Sequence, residues 1–219
     1  MIDAHQITRS QDQATLEWHD HASHFFAEQP SGAGDSPESN IIPVHVPVEG
    51  IMRCILAQHR ANFDLWHQED LARDMRATAE NIADVKHAID RLNQNRNDLV
   101  EKIDETLLNA LPHQVSTAPL NSEPPGLIID RLSILALKIY HTREEVQRES
   151  ATTEHRFRNL DRLRVLEEQR TDLADCLDVL WKQVLAGERR FKLYRQMKMY
   201  NDPQLNPVLY GQQGPTKGC

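Results

Sequence analysis

The chain has 219 residues, 39% of them hydrophobic, and a formal net charge of -8 at pH 7. That length and apolar content suit one sizeable core, and the charge is lopsided: residues 1–44 hold seven acids against the single base Arg9, leaving the remainder close to neutral. A broad basic excess is absent, which excludes a general nucleic-acid binder, and no apolar stretch is long enough to be read as a signal or a transmembrane segment.

The elements can be read in chain order. Residues 1–44 are polar and acidic and run into Pro, Gly, Ser and Asp, so they are expected to form a disordered tail that allows at most a short helix over 13–26. Within the tail, His19, His21 and His24 are metal-like in composition but read as solvated histidines. The bundle domain is assigned to residues 45–210 and a flexible end to 211–219. Its first helix is predicted over about 48–74 on the apolar line Met52, Ile55, Leu56, Phe63 and Trp66. Along the edge of that line step His59, Asn62, Trp66, Glu69 and Asp70, turning an imidazole, an amide, an indole and two carboxylates toward the bundle.

The second helix, over 79–110, starts at Thr78 and ends before Pro112. It carries two stripes, one apolar (Ile82, Val85, Ile89, Leu92, Leu99, Ile103, Leu107) and one polar (Lys86, Asp90, Asn93, Asn97, Glu101, Asp104). Amides and charges that flank an apolar stripe are partly covered by the neighbouring helix and need partners, which are either other side chains or a ligand. A proline-rich connection leads to a third helix over 127–148, where Asp130, Arg131, Lys138 and His141 offer an acid, two cations and an imidazole. A fourth helix is expected over 151–185 and a short fifth over 188–200. In the fifth, Arg195 and Lys198 lead into Asn201 and Asp202. Each apolar stripe must be buried against another, so the fold class is all-α: an antiparallel bundle of four long helices plus a short C-terminal one. Cys54, Cys176 and Cys219 lack metal-ligand spacing, and the first two read as reduced core residues of a cytoplasmic protein.

The phrases FDLWHQEDLARD, IDRLNQNRNDLVEKID, PLNSEPPGLIIDRLSILALKIYHTREE and YRQMKMYNDPQLNPVLYG resemble the bacterial family catalogued as domain of unknown function 4254, over about residues 50–210. The resemblance carries no established activity. It implies an association with glycosyltransferases of surface-polysaccharide or lipopolysaccharide synthesis, and its phrases add Arg96 to the candidate residues.

Three readings follow from the residues taken with what the resemblance implies. In the first, the interhelical cleft binds a small phosphorylated ligand, a nucleotide sugar or sugar phosphate. Arg131, Lys138, Arg195 and Lys198 would meet phosphate, with Asn62, Asn93, Asn97 and Asp90 on hydroxyls or a base, and His59, Glu69, Asp70 and His141 available for acid–base work. The second is Mg²⁺-dependent phosphohydrolysis, with Glu101 and Asp104 set against Glu69 and Asp70 as in the all-α nucleoside triphosphate pyrophosphatases, although the Glu-x-x-Glu half of that pattern is missing. The third is a scaffold that docks a glycosyltransferase through an exposed apolar patch around Trp181 and Tyr194.

Overall fold

The computed structural model describes residues 3–25, 48–111 and 113–197, which form five helices: α1 (Ala4–Phe25), α2 (Val48–Leu71), α3 (Ala79–Ala110), α4 (Pro125–Gln147) and α5 (Thr153–Leu185). The expected all-α bundle is the architecture. Helices α2 and α3 pair as one antiparallel hairpin and α4 and α5 as another, while α1 packs on α2, α4 and α5. Only α4 touches all four of the others. It is apolar on most sides, burying Ile128, Ile129, Leu132, Ala136, Leu137 and Ile139, as a helix surrounded by neighbours must.

Local chemistry sets the helix ends. The Thr78 hydroxyl accepts the Asn81 N–H and the Thr152 hydroxyl accepts the His155 N–H, each at 3.2 Å, relieving donors that the first turn leaves unpaired. Pro125 opens α4, where a missing N–H costs nothing. Helix α5 closes on Gly187, whose φ of 74° suits glycine, with Gly187 N–H bonded to the Val184 carbonyl and Glu188 N–H to that of Gln183.

Two expectations are corrected. The expected disordered tail is contradicted over residues 4–25, which are helical, and α1 packs on α2, α4 and α5. Ala4, Ile7, Gln11, Ala14 and Thr15 lie at helical spacing and are buried, and Asp12 is clasped by Arg170 at 2.6 and 2.8 Å. The inward face mixes Ala4, Ile7 and Ala14 with Thr8, Gln11 and Thr15, so mean hydropathy alone conceals it. Residues 26–47 lie outside the described residues.

The short helix over 188–200 is not formed in its described part. Residues 188–197 contain no helix. The chain instead leaves the Gly187 turn and pairs with the α3–α4 connection: Arg190 N–H bonds the Pro119 carbonyl and Asn121 N–H the Arg190 carbonyl, at 3.1 and 2.8 Å. Phe191, 1% exposed, plugs the core, and the Gln114 amide bonds its N–H and carbonyl at 2.9 and 3.0 Å. Burying one aromatic ring, about 1.5–3 kcal/mol, together with saturated backbone bonds outweighs the propensity of an exposed basic segment for helix. Cys176 is exposed rather than in the core, while Cys54 is half-buried.

Candidate functional site

The polar edges read from the sequence become a buried network between α1, α2, α3 and α4. Its anionic centre is Asp130, 3% exposed. Arg96 grips that carboxylate with Nε and Nη2 at 2.8 and 2.7 Å, and Gln58 Nε2 and Asn62 Nδ2 donate to it at 2.6 and 3.0 Å. Bidentate guanidinium geometry and two amide donors saturate a carboxylate that has lost its water.

One turn along α4, the Ser133 hydroxyl accepts from Asn62 at 2.9 Å and bonds His59 Nδ1 at 2.7 Å. His59 Nε2 reaches the Gln11 carbonyl and the Thr15 hydroxyl, each at 2.9 Å. A carbonyl only accepts, so Nε2 carries the proton and Nδ1 takes the serine hydroxyl's. Burial lowers the His59 pKa to about 4 against the pull of the Gln11 carbonyl, leaving a neutral imidazole with both nitrogens committed. The expected catalytic role for His59 is therefore corrected: it is fully buried and locks α1 to α2 and α4. Sequence reasoning missed Gln11, Thr15, Gln58 and Ser133. Ser133 was the available signal, one hydroxyl in the apolar run of α4, three residues after Asp130.

Outside this network a cleft of about 380 Å³ opens between α2, α3 and α4. Asn62, Leu65, Trp66, Glu69, Asp70 and Arg73 form one wall, Arg96 stands at the inner side, and Ile134 and Leu137 form the floor. Arg73, another residue not foreseen, bonds Glu69 at 3.2 Å and Asp70 at 3.4 Å. All three are well exposed, so these pairs are weak and exchangeable. Of the expected site, Asn62, Trp66, Glu69, Asp70 and Arg96 thus meet at one cavity, with Asp130 behind Arg96.

The remaining candidates go elsewhere. Arg131 and Lys138 line a second, wider groove of about 1020 Å³ along α4 and α5, and Arg131 is paired with Glu123 at 2.9 Å. Adjacent positions on a helix point about 100° apart, so Asp130 and Arg131 cannot share one face. Asp90 pairs with Lys86 on the outer surface of α3, and Asn93 and Asn97 are partly buried without lining the cleft. His141 turns to α1 and α2, beside His19 and His67. Lys198, Asn201 and Asp202 lie outside the described residues.

The carboxylates set aside for Mg²⁺ do not assemble. Asp104 Oδ1 accepts the Gly126 N–H at 2.6 Å, fastening the start of α4 to α3. Glu101 accepts the Gln196 N–H at 2.7 Å and meets Arg195 at 3.3 Å, which also corrects Arg195 from a phosphate ligand to a strap. Glu69 and Asp70 line the cleft together with Arg96, whereas Glu101 and Asp104 lie about 7 and 12 Å beyond Arg96 along α3, toward the opposite end of the α2–α3 hairpin. Among the described residues these four form no group within reach of one ion. Burial pushes the Asp104 pKa up to about 7, with the Gly126 N–H opposing and Glu101 adding to the rise. The expected apolar patch is also missing its centre, since Trp181 is 6% exposed.

The family description "Protein of unknown function (DUF4254)" matches residues 52–193, from α2 through the strap. The chain belongs to this family. Comparison with curated proteins and with solved structures gives no significant match. The DUF4254 segment contains every residue of the cleft together with Gln58, His59, Asp130 and Ser133, while Gln11 and Thr15 precede it. Among the described residues, no helix is long and apolar enough to cross a membrane.

Proposed function

We propose that the protein binds a small anionic, hydroxyl-rich molecule of the sugar-phosphate class in the cleft between α2, α3 and α4. The observation that carries this reading is the construction of the cleft around Arg96: its guanidinium is fixed by Asp130 in two bonds while the residue still lines the cavity. A preoriented cation costs little entropy to engage. Arg73 supplies a second, exposed guanidinium, Asn62 an amide, and Trp66 a flat apolar wall, the combination of aromatic surface and few directed polar groups that ligand sites use. At about 380 Å³ the cavity is at the small end of ligand pockets, which favours a sugar phosphate over a whole nucleotide sugar.

Sugar-phosphate binding is compatible with a cytoplasmic role in surface-polysaccharide synthesis, the association carried by the family resemblance. Glu69 and Asp70 at the rim are the carboxylates in position to contact hydroxyl groups. The test is a thermal-shift panel of hexose phosphates and nucleotide sugars at millimolar concentration. A ligand at about a hundred times its Kd adds about 2.7 kcal/mol to folding stability, or roughly 5–11 °C for a chain of this size. The shift should vanish in Trp66→Ala and shrink in Arg73→Ala. Failure of every compound to stabilise the wild type would count against the reading.

A further inference from the structure

We propose that His19, His67 and His141 form a binding site for a divalent transition metal, with Zn²⁺ the favoured ion and one coordination position left open. The inference is independent of the ligand cleft and uses side chains outside it. Each histidine comes from a different helix, α1, α2 and α4, and one ring nitrogen of each lies within 4.8 Å of one from both others. The ring centroids are 5.1, 5.2 and 6.1 Å apart with planes inclined at 78°, 48° and 66°. Tetrahedral zinc, with Zn–N of about 2.0–2.1 Å, sets its imidazole nitrogens about 3.3 Å apart and the ring centres about 5 Å apart. The three rings are therefore close to ligating separation before any ion is added.

The hydrogen bonds settle which nitrogen of each ring carries its hydrogen. His19 Nδ1 bonds the Thr15 carbonyl, His67 Nδ1 the Phe63 carbonyl, and His141 Nδ1 the Glu144 carboxylate, each at 2.8 Å. Those oxygens are acceptors, so Nδ1 carries the hydrogen in every case and the lone pair belongs to Nε2. Metal-ligating histidines show this arrangement, their second nitrogen bonded to a carbonyl or carboxylate that fixes the tautomer and raises basicity. His141 Nε2 is buried and has no hydrogen-bond partner among the described residues.

The surroundings hold the rings rather than merely admit them. Tyr140 stacks on His19 at 4.2 Å and 16°, Trp66 on His141 at 4.8 Å and 10°, and Phe63 packs on His67 at 4.4 Å. Neutral imidazoles prefer Zn²⁺ and its transition-metal neighbours to Mg²⁺ or Ca²⁺, and three protein ligands with an open fourth position is the composition of zinc sites that bind water or substrate. Trp66, stacked on His141 and lining the ligand cleft, physically joins the two sites.

The experiment uses the untagged full chain, stripped with chelator and titrated at neutral pH with ZnCl₂ by calorimetry and with CoCl₂ by visible absorption. One equivalent of Zn²⁺ with a Kd at or below about 1 μM, and the absorption bands of four-coordinate Co²⁺, are expected. His67→Gln and His141→Gln should each weaken Zn²⁺ binding by about 100-fold or more, and Glu144→Ala by about 10–100-fold through the lost second bond. The exposed His87→Gln should leave it unchanged. If one histidine variant fails to fold, the other and the Co²⁺ spectrum decide. Absence of stoichiometric binding in the wild type, or binding that survives both histidine changes, overturns the proposal, including the case in which the cluster responds to acid but to no metal.

Discussion

Replacing Asp104 by asparagine isolates the effect of one buried charge. Asp104 is 2% exposed, its Oδ1 holds the Gly126 N–H, and its pKa is about 7 against 3.8 for a free carboxyl. Between those two values the folded chain keeps a proton that the unfolded chain has released. The associated stability is full below pH 3.8 and is lost as pH rises through 7. Three pKa units at 1.36 kcal/mol each amount to about 4 kcal/mol. Asparagine retains the acceptor for Gly126 and has nothing to ionise, so Asp104→Asn should exceed the wild type by up to about 4 kcal/mol near pH 8.5 and nearly match it near pH 4. In thermal unfolding followed by circular dichroism this is a gap of roughly 8–16 °C, closing on acidification. Other titrating groups cancel in the difference between the two chains. A gap independent of pH, or a variant less stable at high pH, would refute the view that desolvation dominates at Asp104.

Other perturbations probe the packing around the network. His59 has the opposite sign: its pKa is lowered to about 4, so its stability is present above 6.5 and lost as pH falls through 4. Urea titrations should show the wild type losing about 3 kcal/mol across that window from this group, and His59→Gln losing correspondingly less. A Cβ on Gly126 would lie 2.6 Å from the Val100 carbonyl oxygen and 3.0 Å from the Asp104 carboxylate. Gly126→Ala should therefore cost on the order of 1–3 kcal/mol, read as a lower urea midpoint; an unchanged midpoint would mean that α3 and α4 separate freely. Asp130→Asn leaves the Arg96 guanidinium without its counter-charge and should cost about 3 kcal/mol, most of it recovered by adding Arg96→Met. Chemical denaturation of the double variant checks this, and no recovery would mean that Arg96 was not the group left unpaired.

How much of this was legible in the sequence depended on which side of a helix carried the signal. The apolar stripes of α3 and α5 repeat at helical spacing, and Ile89, Ile103, Leu107, Leu163, Leu177, Leu180 and Val184 are buried as that spacing requires. The polar edges read on α2 and α4 also announced partners, and Asn62 and Asp130 meet each other and Arg96, a residue added by the family resemblance. Their azimuth was harder to read. Asp130 and Arg131 are neighbours in the chain, but one is buried against Arg96 and the other lines the α4–α5 groove, and Glu101 and Asp104 hold backbone N–H groups of the strap and of the start of α4. From sequence, helix α1 reads as at most a short helix over 13–26 because its inner face carries polar residues such as Thr15, whose burial is satisfied only once the His59 ring meets its hydroxyl. The strap around Phe191 is a tertiary effect: local composition favours helix, and a single ring seated in the core decides otherwise.

The most direct test is a crystal structure grown with the sugar phosphate that gives the largest thermal shift. Electron density for the ligand is expected between α2, α3 and α4, with its phosphate against Arg96 or Arg73 and its ring on Trp66. Density beside Arg131 and Lys138 instead, with the cleft empty of ligand, would contradict the proposed site.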